Sequence, residues 1–300
     1  MRGNMKKQYI PYIYAGLTIF MWSTLAVVSK LLLGKFDNFQ VLWASAFFGS
    51  LILIILNTAT GIIKQLKEFK IKDYLIVLLA GLPGTFLYYV FYYAGTDILP
   101  STSQAFIINY LWPIMSVVFA CVINKEKMTL RKGIAIAVSF VGIAVVTAKD
   151  LFVPSTATLS VTLLGALMCV LGAVSYGLFT ALTNRFNYEK SLMMLVNFVA
   201  TFIITTVINA VKGDLFIPTG FEILGFIWNG MFVMAIASTC WAIALHMGDT
   251  AKISNLAYIT PFVSLIWIWL VLKEELSIFS VLGLIVIVAG IFIQLKDKKE

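Results

Sequence analysis

The sequence has few charged residues and very few side chains suited to acid–base or metal chemistry. Charged residues make up 12% of the 300 residues, and there is a single histidine. A soluble domain carries about a quarter of its residues as charged side chains, so this chain cannot present a water-facing surface along its whole length. Cys121, Cys169 and Cys240 lie in apolar stretches, without the paired spacing of a disulfide or metal framework. The composition excludes a soluble enzyme, and we expect neither a cofactor nor a metal site.

Apolar residues dominate the sequence. They account for 61% of the chain, and the mean hydropathy is +0.96. A membrane helix needs about 20 apolar residues, and the first run is too long for a signal peptide and lacks a small-x-small cleavage site. We therefore predict an all-α integral membrane protein with ten transmembrane helices. Its predicted spans lie near residues 10–33, 39–58, 73–95, 101–123, 131–148, 161–184, 191–211, 222–245, 253–272 and 277–295.

The basic residues predict how these spans are oriented. The net charge is +8, but Lys and Arg occur in short clusters between apolar runs, so we expect no nucleic-acid partner. If the N-terminus is cytoplasmic, 17 basic residues fall in inside segments and 4 in outside segments, with Lys30 within the first span. The positive-inside rule then predicts a multi-pass protein of the cell membrane with both termini in the cytoplasm.

The chain repeats about its midpoint, near the hydrophilic gap that follows Lys149. A shift of 148 residues superposes matching residues of the two halves without a gap: Tyr110 on Tyr258, Pro113 on Pro261, Lys125 on Lys273, Glu126 on Glu274 and Gly142 on Gly290. We therefore predict two five-helix repeats, residues 1–150 and 151–300. Because five is odd, the second repeat enters the membrane from the opposite side, and such inverted repeats support alternating access in many secondary transporters.

Several motifs follow one another along the chain. They are Trp22-Ser23 followed by Lys30, the tract from Tyr92 to Pro113, the turn at 125–129, the Gly-rich fifth span, and the second copy ending in Pro261 and residues 272–276. Together they resemble the EamA family of the drug/metabolite transporter superfamily. The resemblance covers nearly the whole chain and implies ten-span carriers of metabolites, among them amino acids and nucleosides, with a cavity lined mainly by spans 1, 3, 4, 6, 8 and 9. Many members carry an Arg in the second span, but residues 41–48 contain none, so the resemblance does not assign the substrate.

Polar and aromatic side chains within the spans are the candidate solute contacts, because polar groups are costly at membrane depth. The candidate substrate-binding residues are Trp22, Ser23, Lys30, Tyr88, Tyr89, Tyr92, Gln104, Asn109, Trp112, Tyr176, Trp241 and Tyr258. Each has a structural alternative. Lys30 either meets a carboxylate or extends its ammonium to the interface, the tyrosines line a pore or form an interfacial aromatic belt, and Asn109 binds solute or bridges helices.

Other polar residues lie towards the ends of the predicted spans. Asn255 is expected to share a helix face with Tyr258. His246, Asp249 and Lys252 form either a gate or an ordinary solvated loop. Glu126 and Glu274 precede Thr129 and Ser277, which are suited to cap the last helix of each half. We predict a structural role for all four residues.

The acidic residues bear on the driving force for transport. All 14 Asp and Glu residues fall at span ends or in loops. That placement favours a facilitator or exchanger of neutral or zwitterionic solutes over proton exchange at a buried carboxylate. We therefore predict a secondary transporter, and not an enzyme. It is expected to export or exchange small metabolites by alternating access, with amino acids or related neutral or zwitterionic solutes ranked first.

Several alternatives stay open. They are a drug, nucleoside or vitamin carrier of the same family and, less favoured, a membrane enzyme, a channel or a receptor. The expected partners are a small-molecule solute and the lipid bilayer, with a homodimer as an open alternative.

Overall fold

The computed structural model describes residues 2–123, 125–152, 158–186, 188–247, 253 and 256–295, and it contains helices and no strands over these residues. Eight helical segments are long and apolar enough to cross a membrane, and two shorter apolar segments follow them. Numbered as spans 1 to 10 in chain order, they are Tyr9–Leu33, Asn38–Ala59, Ile71–Ile98, Thr102–Ile123, Leu130–Thr147, Leu159–Thr183, Lys190–Lys212, Glu222–Trp241, Ala257–Leu272 and Ile278–Ile293. Each lies on one predicted apolar run, so the predicted all-α ten-span fold is confirmed.

Five of the spans are not one continuous α-helix. Span 1 divides at Thr24 into the helices Arg2–Ser23 and Leu25–Leu33. The other α-helices are Asn38–Ala59, Ile71–Leu82, Tyr88–Ile98, Thr102–Asn109, Trp112–Ile123, Leu130–Phe152, Leu159–Arg185, Lys190–Lys212, Glu222–Ile227, Ala237–Met247, Thr260–Trp267 and Ile278–Leu295. Wider π-helical turns occupy Pro83–Leu87, Trp228–Ile236 and Ile268–Leu272. Short 3₁₀ helices occupy Ile62–Glu68 and Ala257–Ile259.

The packing of the chain divides it into two compact units. The first unit is Met1–Leu75 with Tyr188–Leu272, and the second is Ile76–Asn187 with Lys273–Glu300. Each unit therefore takes segments from both sides of residue 150. The repeat boundary near residue 150 describes similarity in sequence rather than packing, and it stays a prediction.

Spans 2 and 7 pack against each other in the first unit and run in opposite directions. Near one end, Ser191 Oγ donates a hydrogen bond of 2.7 Å to the buried Asn57. Towards the other end, Trp43 Nε1 donates a hydrogen bond of 2.8 Å to Thr206 Oγ1. Residue numbers rise along one helix while they fall along the other, so the second spans of the two halves are antiparallel.

Spans 5 and 10 form the corresponding antiparallel pair in the second unit. A methyl group added at Gly142 would lie 2.9 Å from the Gly283 carbonyl oxygen, and one added at Gly290 would lie 2.8 Å from that of Ala135. The 148-residue shift relates Gly142 to Gly290 and Ala135 to Gly283. The two close approaches are therefore the same contact seen from each repeat, as between elements related by a twofold axis. The last spans of the two halves run oppositely, which confirms that the repeats are inverted.

Two further features mark the same symmetry. Ser139 and Ile287, themselves 148 residues apart, meet where Ser139 Oγ donates to the Ile287 carbonyl at 3.4 Å. Lys125 and Lys273 are the two non-glycine residues with positive φ in the described part of the chain, at 57° and 55°. Equivalent positions of the two repeats thus share even an unfavourable backbone conformation.

The predicted caps of the last spans are present. Lys132 N–H donates to Thr129 Oγ1 at 3.2 Å at the start of span 5, and Phe279 N–H donates to Ser277 Oγ at 3.2 Å at the start of span 10. Each hydroxyl satisfies one backbone donor that a helix start leaves without a carbonyl partner.

Candidate solute-binding site

Span 3 changes its helical repeat at Pro83, just before its tyrosines. Pro83 has no N–H to donate, and in the turn Pro83–Leu87 the Tyr88 N–H bonds to the carbonyl of Pro83, five residues back. A π-helical turn adds a residue and rotates the helix that follows it. The helix Tyr88–Ile98 then carries two pairs of tyrosines at i, i+4 spacing.

These four residues, Tyr88, Tyr89, Tyr92 and Tyr93, form the tyrosine cluster. The rings of Tyr88 and Tyr92 are stacked, with centroids 5.8 Å apart and planes within 5°. The rings of Tyr89 and Tyr93 lie 5.5 Å apart. Exposure of the four residues ranges from 0% to 7%. The cluster is therefore buried within the protein, whereas the rings of an interfacial aromatic belt face lipid.

Span 6 approaches the tyrosine cluster through Gly172. A methyl group there would lie 3.2 Å from Asn109 Oδ1 and 3.4 Å from the Tyr88 carbonyl oxygen. One turn later, the ring of Tyr176 lies 4.9 Å from that of Tyr88 and 5.1 Å from that of Trp112. The missing side chain at Gly172 therefore lets Tyr176 join aromatic rings of spans 3 and 4.

Span 4 breaks between Asn109 and Trp112. Pro113 has no N–H to donate to the Asn109 carbonyl, and the chain tightens so that Ile114 N–H donates to the Leu111 carbonyl at 2.9 Å. Asn109 Nδ2 donates to Tyr88 Oη at 3.1 Å, and the residue is 3% exposed. Asn109 Oδ1 is buried and has no hydrogen-bond partner in the described part of the protein. The amide therefore bridges two spans and still offers an acceptor.

Tyr88, Asn109, Trp112 and Tyr176 thus form one contact network in the second unit, which we call the Asn109 network. It combines ring faces, which suit flat or apolar groups, with a polar acceptor. Within the residues that the structure describes, no group of three His, Cys, Asp or Glu side chains could hold a metal ion. The network is therefore suited to binding by contact and hydrogen bonding.

Two other candidates of the second unit lie beside or apart from this network. The ring of Tyr89 lies 4.7 Å from that of Tyr88. Gln104 is fully buried at the start of the helix Thr102–Asn109, where its backbone N–H donates to Ser101 Oγ at 3.1 Å. Tyr89 belongs with the aromatic residues, whereas Gln104 lies five residues before Asn109, near the start of span 4.

The first unit holds the remaining candidates. Trp22 and Trp241 meet with ring centroids 5.5 Å apart. Ser23 is buried and its hydroxyl donates to the Phe20 carbonyl at 2.8 Å, so it is engaged by its own helix. Lys30 is half-buried in the last turn of Leu25–Leu33, and Tyr258 is half-buried in the 3₁₀ turn Ala257–Ile259. The structure brings together the two tryptophans of this group.

Some predicted polar residues cannot be placed. Asp249, Lys252 and Asn255 lie outside the described residues, as does the side chain of His246.

Sequence reasoning passed over three polar side chains of span 9. Thr260, Ser264 and Trp267 each carry a buried polar atom without a hydrogen-bond partner in the described residues. Their spacing of i, i+4 and i+7 within an apolar run was the available signal, since it places all three on one helix face.

Comparison with known proteins gives a consistent result. The sequence profile described as the EamA-like transporter family matches residues 10–148 and 163–295. An uncharacterized transporter of Clostridium kluyveri is 23% identical over 99% of this chain and 95% of its own length. The aromatic amino acid exporter YddG of Ancylobacter novellus is 22% identical over 82% of this chain and 83% of its own length. A solved crystal structure shares the fold with a TM-score of 0.68 at 19% identity, covering 96% of both chains. The chain therefore belongs to the EamA-like transporter family.

Proposed function

We propose that this transporter is a secondary carrier that exports or exchanges amino acids, with aromatic amino acids preferred. The observation that carries the proposal is the Asn109 network of Tyr88, Asn109, Trp112 and Tyr176. Family membership identifies a membrane transporter, and the chemistry of this network suggests the solute class. A relative of the same family is named as an aromatic amino acid exporter, which is in line with this choice.

The network supplies the two kinds of contact that an aromatic amino acid needs. A solute ring that packs against Tyr176 or Trp112 would contribute about 0.5–1.5 kcal/mol beyond the area it buries. A buried acceptor without a partner costs about 1–3 kcal/mol, so Asn109 Oδ1 gains when a solute ammonium donates to it. A zwitterion with a flat side chain satisfies both requirements.

Alternating access is the proposed mechanism. The antiparallel pairs of spans 2 with 7 and 5 with 10 relate the halves as inverted repeats. Two such repeats can exchange conformations, so that one binding region opens alternately to the two sides of the membrane. The 17 to 4 distribution of basic residues supports a cell-membrane protein with both termini in the cytoplasm.

Counterflow in proteoliposomes tests the proposal. Vesicles loaded with unlabelled phenylalanine should accumulate external labelled phenylalanine, tyrosine and tryptophan, and leucine should compete weakly. Uptake should persist without a pH gradient, since none of the acidic residues lies clearly within a predicted span. Protein-free vesicles provide the control. Counterflow of a nucleoside or thiamine with none of any amino acid would refute the solute assignment, and strict dependence on a pH gradient would refute the exchanger mechanism.

A further inference from the structure

Span 9 aligns three buried polar side chains that have no hydrogen-bond partner in the described residues. The hydroxyls of Thr162 and Ser280, in the second unit, also lack such partners, but they occur singly. Thr260 and Ser264 are 4% and 0% exposed. Thr260 Oγ1, Ser264 Oγ and Trp267 Nε1 are all buried, without a hydrogen-bond partner in the described part of the chain. We call these three residues the polar stripe.

Hydroxyls on the other helices of the first unit show what is unusual here. Ser29 Oγ donates to the Leu25 carbonyl at 2.7 Å, Ser50 Oγ to the Ala46 carbonyl at 2.7 Å, and Thr205 Oγ1 to the Thr201 carbonyl at 2.7 Å. A buried serine or threonine in a helix ordinarily satisfies its hydroxyl in this way. Within the described residues, Thr260 and Ser264 make no such bond. Ser264 lies inside the helix Thr260–Trp267, and Thr260 is its first residue, directly after a 3₁₀ turn.

A second comparison concerns two tryptophans that share one aromatic neighbour. Phe20 packs edge-on against Trp228 at 6.2 Å and against Trp267 at 5.9 Å. Trp228 Nε1 donates to Thr24 Oγ1 at 2.8 Å. Trp267 has the same kind of ring contact, but its N–H has no acceptor among the described residues. The Trp267 ring is therefore packed within the protein, while its indole N–H is available to donate a hydrogen bond.

The three polar atoms lie on one face of the helix. Positions i, i+4 and i+7 follow a single line along an α-helix. Each unpaired polar atom in a buried position lowers the stability of the fold. An aligned set of them is therefore retained at a cost to stability, and binding a ligand is a use that would recover the missing hydrogen bonds.

We propose that the polar stripe is a solute-contacting surface of the first unit that binds hydrogen-bond acceptors, namely carboxylate or carbonyl oxygens. This inference rests on the proposed function. The indole N–H can only donate, and each hydroxyl can donate while its lone pairs accept from other groups. The stripe thus offers three donors and no charge of its own, which suits the carboxylate of an amino acid. The stripe is shielded from solvent in this conformation, and a carrier exposes such a surface in another state of its cycle.

A matched pair of serine variants separates binding from structure. Ser264 and Ser29 are both 0% exposed. Ser29 Oγ bonds to its own helix, whereas Ser264 Oγ has no partner among the described residues. Ser264→Ala should raise the half-saturation concentration for phenylalanine about tenfold while leaving the melting temperature unchanged or higher. Ser29→Ala should lower the melting temperature and leave that concentration unchanged. If Ser264→Ala lowers the melting temperature and leaves phenylalanine binding intact, the hydroxyl is structural and the proposal is overturned.

The tryptophans give an independent pair. Trp267→Phe keeps a ring beside Phe20 but removes the donor, so it should weaken phenylalanine binding several-fold without loss of thermal stability. Trp228→Phe removes the bond to Thr24 and should lower stability without a change in half-saturation. Equal effects of the two variants on binding would contradict the assignment.

The ligand itself supplies the last comparison. Phenylalanine, phenylalaninamide and phenethylamine keep the ring but carry a carboxylate, an amide carbonyl and neither group, respectively. As competitors of labelled phenylalanine, they should bind the wild type with affinities that fall in that order. Ser264→Ala should reduce the differences in affinity among the three compounds. Unchanged differences, with amino acid counterflow intact, would refute the polar stripe alone.

If the wild type exchanges nucleosides and no amino acid, the proposed solute class is wrong, but the polar stripe is not yet refuted. The same Ser264 and Trp267 variants would then be assayed with uridine, whose base carries two carbonyl oxygens. Weaker uridine binding would support the stripe as an acceptor-binding surface, and unchanged binding would reject it.

Discussion

The carboxylate of Glu274 accepts hydrogen bonds from both the hydroxyl and the backbone N–H of Ser103, at 2.7 and 3.0 Å. Thr102 N–H and Ser101 Oγ donate to it as well, each at 2.8 Å. Glu274 lies in the segment before span 10, yet it satisfies the free backbone donors at the start of the helix Thr102–Asn109 in span 4. An anionic group at a helix N-terminus also meets the positive end of the helix dipole. Glu274 therefore has the predicted structural role, but it caps the helix Thr102–Asn109 of span 4 and not the neighbouring helix of span 10.

Glu274 should make the stability of the protein depend on pH. Burial by itself raises the pKa of the Glu274 carboxyl, but the hydrogen bonds from Ser103, Ser101 and Thr102 outweigh burial and hold the pKa below its ordinary value of 4.5. A lowered pKa in the folded state contributes stability that is present above the unfolded pKa and is lost as pH falls through the folded pKa. Glu274→Gln should therefore melt below the wild type at pH 7, and the difference should narrow as the pH falls below about 4.5.

Thermal unfolding in detergent at pH 7, 5, 4 and 3 measures this effect. Glu275 is the control, since it is the exposed neighbour in sequence, and Glu275→Gln should follow the wild-type curve throughout. A Glu274→Gln curve parallel to the wild type over this range would show that the carboxylate is not charged where the structure places it.

The close approach of spans 5 and 10 predicts that Gly142 and Gly290 respond alike to substitution. Gly142→Ala and Gly290→Ala should each destabilise the protein by about 1–3 kcal/mol, because the added methyl group overpacks the same symmetric contact. Gly133 is the control on span 5, since a methyl group there meets nothing within 4 Å. Gly133→Ala should be neutral or stabilising, because alanine favours a helix over glycine by up to about 1 kcal/mol. Unfolding temperatures of the three variants decide the matter. A loss at Gly142 with none at Gly290 would contradict equivalent packing.

The sequence predicted the spans well because membrane helices need long apolar runs, and charged or Gly/Pro-containing breaks interrupt those runs. It also predicted the inversion, since an odd number of spans in each repeat leaves no other arrangement. The two symmetric contacts, Gly142 with Gly283 and Gly290 with Ala135, support the inversion. The π-helical turn at Pro83–Leu87 was harder to foresee, because a proline predicts a break in the ladder without indicating which hydrogen bonds replace the lost one.

Contacts between residues far apart in the chain could not be predicted from the sequence. Glu274 and Ser103 are 171 residues apart, and local capping rules relate a residue only to the helix that it begins. Thr260 and Ser264 were missed for a different reason. A serine or threonine in a helix ordinarily bonds to its own backbone, so only the structure shows that these two hydroxyls do not.

The distribution of basic residues predicts the location of the termini. Alkaline phosphatase fused after Glu300, which keeps Lys296, Lys298 and Lys299 in place, should be inactive in a bacterial host, because that enzyme needs an oxidising compartment. A fluorescent protein at the same position should fluoresce. Alkaline phosphatase inserted between Lys149 and Ser160, which is an outside segment under the prediction, should be active. The reverse pattern at the two positions would overturn the cytoplasmic assignment of the C-terminus.

Tyr176 should set the preference for aromatic over aliphatic solutes. Its ring contacts those of both Tyr88 and Trp112 in the proposed binding network. A solute ring that packs against Tyr176 would gain about 0.5–1.5 kcal/mol that an aliphatic side chain would not. Tyr176→Leu should therefore reduce the ratio of leucine to phenylalanine half-saturation concentrations about tenfold, mainly by weakening phenylalanine. Tyr176→Phe keeps the ring and should keep the ratio, which separates ring contact from hydroxyl bonding. Counterflow with folded, monodisperse protein gives both concentrations. An equal loss of affinity for the two solutes in Tyr176→Leu would mean that the ring supports the structure of the site without selecting its ligand.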